Sequence, residues 1–172
     1  MKTKLLTVAL IAVPFLLASC GSEEKPAAQQ AAATTPGVLI EDAWVRATTG
    51  AKDATMTAAF LSLTNPGDKD VKLTSATSPV AGMVQLHEMA MQDGKMVMRE
   101  KAGGVNVPAG SHTHLSPGGD HIMLMSLKQQ LKPGDEVPVT LKFSDNTTHD
   151  LKVPVKAFTE EEEHYHPTPT TK

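Results

Sequence analysis

The scarcest reactive side chain in this sequence is cysteine, which occurs once in 172 residues, as Cys20. A single cysteine excludes an intramolecular disulfide. It also excludes a blue-copper electron carrier, because that centre needs a cysteine thiolate beside two histidines and Cys20 closes an N-terminal apolar run. Aromatic residues are scarce as well, at 3% of the chain. A folded core must therefore come mainly from Val, Leu, Ile, Met and Ala.

The sequence also lacks an excess of positive charge and any familiar catalytic motif. The formal net charge is −3 and there is no basic patch, so we do not expect a nucleic acid partner. There is no nucleophile motif, no His-Glu-x-x-His and no paired-carboxylate arrangement with a supporting context. We therefore predict a binding protein without catalytic residues.

The N-terminus has the composition of a secretory signal. The first four residues carry two lysines, and residues 5–17 form an apolar run that is shorter than the roughly 20 residues needed to span a bilayer. Leu-Ala-Ser at 17–19 followed by Cys20 resembles the lipobox of bacterial lipoproteins. The resemblance implies a signal peptide over 1–19, lipidation of Cys20 and a position on the periplasmic side of the envelope. Gly21 resembles the pattern for outer-membrane sorting.

Composition divides the remaining chain into three parts. Residues 20–37, which begin with the lipidated cysteine, contain no apolar side chain larger than alanine after it and are predicted to be a flexible tether. Residues 38–156 have the composition of a folded domain. Residues 157–172 are acidic and then rich in Pro and Thr, which predicts a disordered tail.

The folded part has the pattern of an all-β protein. Val137, Val139, Leu141 and Phe143 alternate with polar residues, as in a half-buried antiparallel strand. Many short strands between turn signals favour a sandwich or barrel, and a Greek-key sandwich is our prediction. The predicted strands cover residues 39–47, 56–63, 71–76, 84–91, 95–100, 113–115, 121–127, 137–143 and 149–155.

Methionine is concentrated in two short segments. Seven of the nine methionines lie in residues 83–99 and 121–125, and each segment also contains one histidine. Asp93-Gly94 favours a two-residue type I′ hairpin turn. That turn pairs Met89 with Met98, so His87 faces Glu100 and lies diagonally from Met98 on the same face of the hairpin.

These donors predict a site for a soft metal ion. His121 and Met123 share one face of their strand, and a neighbouring hairpin would bring them to His87 and Met98. Thioether sulfur mixed with imidazole suits copper(I) better than zinc, calcium or magnesium. We therefore predict a copper(I) site formed by His87, Met98, His121 and Met123.

The other methionines and histidines are more ordinary. Methionine commonly fills irregular core spaces, so Met56 and Met83 are expected to pack in the core. Core or rim packing is likewise expected of Met89, Met91, Met96 and Met125. We expect His112, His114 and His149 to be exposed.

The ligand spacing resembles the signature of a known family, the PCu(A)C copper chaperones. That signature is His-x10-Met-x21-His-x-Met, and here His87, Met98, His121 and Met123 match it with 22 residues in the long gap. Asp-Ala-Trp-Val-Arg at 42–46 and Pro-Gly-Gly at 117–119 also resemble the family. The resemblance covers about residues 38–155.

The resemblance implies a cupredoxin-like β-sandwich that binds copper(I) outside the cytoplasm. It also implies delivery of copper to the binuclear copper centre of cytochrome c oxidase, or copper handling beside other assembly factors. Some relatives carry tails that bind copper(II). This bears on His164 and His166 beside four glutamates, where an ordinary disordered tail and a loose copper(II) or zinc site both stay open.

Three alternatives remain for the function. The first is a copper-storage or resistance protein without a dedicated oxidase acceptor. The second is a metal-free or structural surface lipoprotein whose methionines only fill the core. The third is a copper oxidase or metal hydrolase, which the lack of catalytic motifs disfavours.

Overall fold

A computed structural model describes residues 37–157, which form ten β-strands and no helix. Within this range no helix is long and apolar enough to cross a membrane. The strands are β1 (Leu39–Arg46), β2 (Met56–Asn65), β3 (Val71–Thr77), β4 (Ala81–Gln92), β5 (Lys95–Glu100), β6 (Val105–Val107), β7 (Ser111–Leu115), β8 (His121–Leu127), β9 (Glu136–Phe143) and β10 (Thr148–Lys156).

The strands form a cupredoxin-like β-sandwich. Hydrogen-bonded neighbours follow the order β5-β4-β8-β2-β1-β10-β9-β3-β6, and β7 pairs with β2. All pairs are antiparallel except β1 with β10, where Val45 lies opposite Val155. This parallel pair joins one half, β5-β4-β8-β2-β1 with β7, to the other, β10-β9-β3-β6. The predicted all-β sandwich is confirmed.

A single aliphatic core lies between the two halves. In β9, Val137, Val139, Leu141 and Phe143 are buried while the residues between them are more exposed, as the alternation predicts. The other half contributes the buried side chains of Leu86, Ile122 and Leu124 to the same core. The side chains next to these in β4 and β8 must point away from the core, because successive side chains of a strand lie on opposite faces.

All nine predicted strands are present, with ends that differ by a few residues, and one strand was missed. That strand is β6, only three residues long and placed between Gly103-Gly104 and Pro108. Gly104 has φ of +75°, and a Cβ there would lie 2.5 Å from the carbonyl oxygen of Leu73. Gly104 is therefore required for the close approach of this segment to β3.

The β4–β5 hairpin has the predicted turn and register. Asp93 and Gly94 have φ of 50° and 77°, as a type I′ turn requires. Met89 lies opposite Met98 and His87 opposite Glu100. A slip of one residue would have moved Met98 to the other face, so this turn decides on which side of the sheet the thioether lies.

Candidate metal centre

One surface of the sheet carries all eight methionines found between residues 37 and 157. Strand pairing places them on the side of β5, β4, β8 and β2 that faces away from the aliphatic core. We call this surface the methionine face. Its methionines are Met56, Met83, Met89, Met91, Met96, Met98, Met123 and Met125.

The two predicted histidine ligands are direct neighbours on the methionine face. β4 pairs with β8, and His87 lies opposite His121. The ring centroids are 5.7 Å apart and the rings meet edge to face. Phe60 supports the pair, with its ring centroid 6.3 Å from that of His121 and 4.6 Å from that of Trp44.

Hydrogen bonds define which nitrogen of each imidazole carries the proton. The Nε2 of His87 is 3.1 Å from the Oε1 of Gln85, and Gln85 uses its Nε2 to donate to Glu100. The amide orientation is therefore set, and His87 Nε2–H donates. His121 Nδ1 is 2.9 Å from the carbonyl oxygen of Gly119, which can only accept, so His121 Nδ1–H donates.

The other nitrogen of each ring is buried with its lone pair unused. His87 Nδ1 and His121 Nε2 have no hydrogen-bond partner within residues 37–157. Leaving a buried acceptor unpaired costs about 1–3 kcal/mol. Metal-binding histidines typically donate their other N–H to a carbonyl or carboxyl group. Both rings therefore have the arrangement expected of metal ligands.

Burial favours the neutral, ligating form of His87. Desolvation is the largest cause that lowers its pKa, and electrostatic repulsion between the His87 and His121 rings lowers it further. The carboxylate of Glu100 acts in the opposite direction and only partly offsets these effects. A neutral imidazole is the form that binds a metal ion.

The two predicted thioether ligands differ greatly in exposure. Met123 is 8% exposed and lies between Gln85 of β4 and Ala58 of β2. Met98 is 51% exposed and rises from the edge strand β5. Together with His121, both line one open cleft of about 520 Å³. His87 does not line the cleft, but its ring contacts that of His121 from the adjacent strand.

The donor set favours a soft monovalent ion. No three His, Cys, Asp or Glu side chains come close enough to hold a metal anywhere in residues 37–157. The soft donors available beside His87 and His121 are the thioethers of Met98 and Met123, which line the cleft with His121. Two imidazoles with neutral thioethers fit copper(I), a d¹⁰ ion without strict geometric demands.

An ion-pair cluster fastens β4, β5 and the start of β8 together. Lys101 Nζ lies 3.1 Å from Glu88 Oε2 and 2.9 Å from Asp120 Oδ2, and Arg99 also pairs with Glu88. Burial alone would lower the pKa of Lys101, but its bonds to Asp120 and Glu88 outweigh this and raise it. Since Asp120 precedes His121, the cluster helps to hold the second histidine in register.

Several sequence-based expectations are changed by the structure. Met56 and Met83 were expected to pack in the core, but they are 41% and 54% exposed. His112 and His114 are exposed as expected and lie on β7. His149 was also expected to be exposed but is partly buried, with its ring against that of Phe143. Gln85 was missed; its position two residues before His87, on the same face, was the available signal. Cys20, His164 and His166 lie outside the described residues.

Comparison with known proteins identifies the family to which this chain belongs. Residues 38–155 match the family described as "Putative lipoprotein LpqE-like". A protein of Leifsonia xyli subsp. xyli named "Putative lipoprotein Lxx21020" is 40% identical over 164 residues, which are 95% of this chain and 96% of that protein.

Two solved structures share the fold. The solution structure of CuI-DR1885 from Deinococcus radiodurans is 36% identical, with a TM-score of 0.56, covering 79% of this chain and 89% of that one. The copper-bound PCuAC domain from PmoF2 is 21% identical, with a TM-score of 0.58, covering 72% and 96%. The family resemblance drawn from the ligand spacing is confirmed. This chain belongs to the LpqE-like family and folds as a PCuAC domain.

Proposed function

We propose that this protein is an extracytoplasmic copper(I) chaperone whose cargo is held by His87, Met98, His121 and Met123. The observation that carries the proposal is the pair of buried, unpartnered nitrogens, His87 Nδ1 and His121 Nε2. Both belong to rings that already donate their other N–H. The copper named in the descriptions of the CuI-DR1885 and PmoF2 structures is consistent with this choice of ion.

The geometry favours carriage over storage or catalysis. Met98 is half exposed at the edge of the open cleft, whereas Met123 and His121 are buried. An incoming protein could therefore replace the Met98 thioether first, while the buried ligands keep the ion in place. Without a thiolate in the set, the bonds to copper(I) are soft but releasable.

We propose the copper centre of cytochrome c oxidase, or one of its assembly factors, as the acceptor. We also propose a lipid anchor at Cys20 that holds the domain on the periplasmic side of the envelope, at the outer membrane. The lipoprotein description of the family supports the anchor. His164 and His166 remain candidates for a secondary copper(II) site.

The ligand set is tested by anaerobic copper(I) titration with X-ray absorption spectroscopy. We expect a first shell of mixed nitrogen and sulfur scatterers, and a shell of nitrogen and oxygen alone would overturn the site. Met98→Leu preserves volume but removes the thioether, so it should weaken copper(I) binding and leave the fold intact. Met91→Leu is the matched control, because Met91 lies on the same hairpin and is 65% exposed.

Delivery requires its own measurement. Copper-loaded protein is mixed anaerobically with the isolated copper-accepting domain of cytochrome c oxidase, and the metal in each is measured after separation. Transfer that fails with this acceptor while copper(I) is still bound at the four ligands would favour storage or resistance. Robust turnover of a substrate by the copper-loaded protein would instead favour an enzyme.

A further inference from the structure

Three methionines form a row on the methionine face, next to the proposed copper site and separate from its ligands. Met83 of β4 lies directly opposite Met125 of β8, and Met125 lies directly opposite Met56 of β2. Directly opposed residues have Cβ atoms about 4.5–5.5 Å apart and side chains on the same face. The long thioethers of Met56 and Met83 can therefore reach the sulfur of Met125 from both sides.

Core packing does not explain this row. Met56 is 41% exposed and Met83 is 54% exposed, although methionine is usually a core-filling side chain. The core beneath is already supplied by Leu124 and Leu86, which project from the opposite face of β8 and β4. Three methionines thus lie side by side on the outer face without an evident packing role.

The row is continuous with the first site. Met56 lines the same cleft as Met98, His121 and Met123. Met125 follows Met123 by two residues, so both project from the same side of β8. An ion that leaves Met123 would find the next thioether of the strand at Met125.

We propose that Met56, Met83 and Met125 form a second copper(I) site, weaker than the first and adjacent to it. Three neutral thioethers bind soft monovalent ions such as copper(I) and silver(I) and bind hard divalent ions poorly. The set contains no imidazole and is more exposed than Met123, so it holds the ion less tightly. It would serve as an entry or exit position for copper that moves to or from the first site.

The chain supplies a matched control for this proposal. Met91 and Met96 also lie opposite each other on the methionine face, and they are at least half exposed. They lie at the far end of the hairpin and have no third methionine directly opposite them, because β5 is an edge strand and the pairing of β4 with β8 ends at His87. If exposure of methionine alone attracted copper(I), this pair would bind as well as the row.

The test uses the full chain labelled with ¹³C at the methionine methyl groups and titrated with copper(I), and in parallel with silver(I), which does not change oxidation state. We expect the first equivalent to shift the methyl signals of Met98 and Met123. The second should shift Met56, Met83 and Met125 together while Met91 and Met96 stay unchanged. A second equivalent that moves Met91 and Met96 equally, or moves none of the row, overturns the proposal.

Two variants separate this site from the proposed function. Met83→Leu should weaken binding of the second equivalent by about tenfold or more, since one of three donors is lost, whereas Met91→Leu should have no effect. In His87→Leu/His121→Leu the first site loses both imidazoles and keeps two thioethers against three in the row, so the row should then respond to the first equivalent. If the Met98 and Met123 signals do not shift in the unaltered protein, the first site is contradicted. The second site is judged separately, by the signals of Met56, Met83 and Met125.

Discussion

The two faces of one sheet in this protein have opposite chemistry although they share the same strands. On one side of β4 and β8, Leu86, Ile122 and Leu124 are buried in an aliphatic core. On the other side, one position along in each case, lie His87, His121 and the methionines. This contrast indicates that stability and the proposed metal binding are encoded in alternate residues, so that each can be altered separately.

The largest effect on stability is expected from the core face. Leu124→Ala removes a fully buried side chain and should lower the free energy of unfolding by about 2–5 kcal/mol. Met91→Ala on the methionine face should change it by no more than about 0.5 kcal/mol. Urea denaturation of the apo protein measures both. Equal losses of unfolding free energy would show that the two faces contribute equally to stability.

The next effect concerns copper and leaves the fold in place. His121→Leu removes a buried, unpartnered nitrogen and also the hydrogen bond to Gly119, so the change in unfolding free energy should be within about 1 kcal/mol. Copper(I) affinity should fall by about 100-fold or more, because the change removes a proposed ligand rather than a residue that only supports one. Competition with a copper(I) chelator measures the affinity. An unchanged affinity would remove His121 from the site.

A smaller effect is expected from a residue that only orients a ligand. Gln85→Leu removes the acceptor for His87 Nε2–H and should weaken copper(I) binding by about 10–100-fold, as is typical of outer groups. Gln92→Leu is the control, because Gln92 allows the same substitution on β4, is exposed and projects from the other side of the strand. The same competition titration applies. Equal weakening by both variants would indicate a general effect on β4.

The smallest effect should come from the hairpin turn. Gly94 has φ of 77°, and alanine in that left-handed conformation costs about 1 kcal/mol. Gly103→Ala is the control, since a Cβ there meets nothing within 4 Å and its φ is not in that range. Urea denaturation compares the two. A Gly94→Ala variant as stable as Gly103→Ala would mean that the turn does not depend on the left-handed conformation.

Sequence reasoning was most successful where the controlling interactions are local. Asp93-Gly94 is sufficient to specify the turn. The turn places Met89 opposite Met98, and each methionine is only four residues from the nearer turn residue. The alternation in β9 likewise predicted its buried residues, because the period of a strand is two. β6 was missed, because a three-residue strand between glycines and proline carries little pattern of its own.

Reasoning from the sequence was least successful where distant segments meet. Met56 is far from Met125 along the chain, and only the pairing of β2 with β8 makes them neighbours. Nothing local to Met56 distinguishes an exposed thioether from a core one. The role of Gln85 also depends on Glu100 holding its amide in one orientation, which is a contact across the hairpin.

The β class, the register of the hairpin and the identity of the two histidine–methionine segments can all be predicted from the amino-acid sequence. These follow from side-chain periodicity and from the backbone preferences of Asp and Gly, which act over a few residues. The tertiary structure decided which face of the sheet is buried, that β8 lies beside β4, and that His87 Nδ1 and His121 Nε2 are left without partners. Those outcomes depend on which distant strands pair and on what the second half of the sandwich covers.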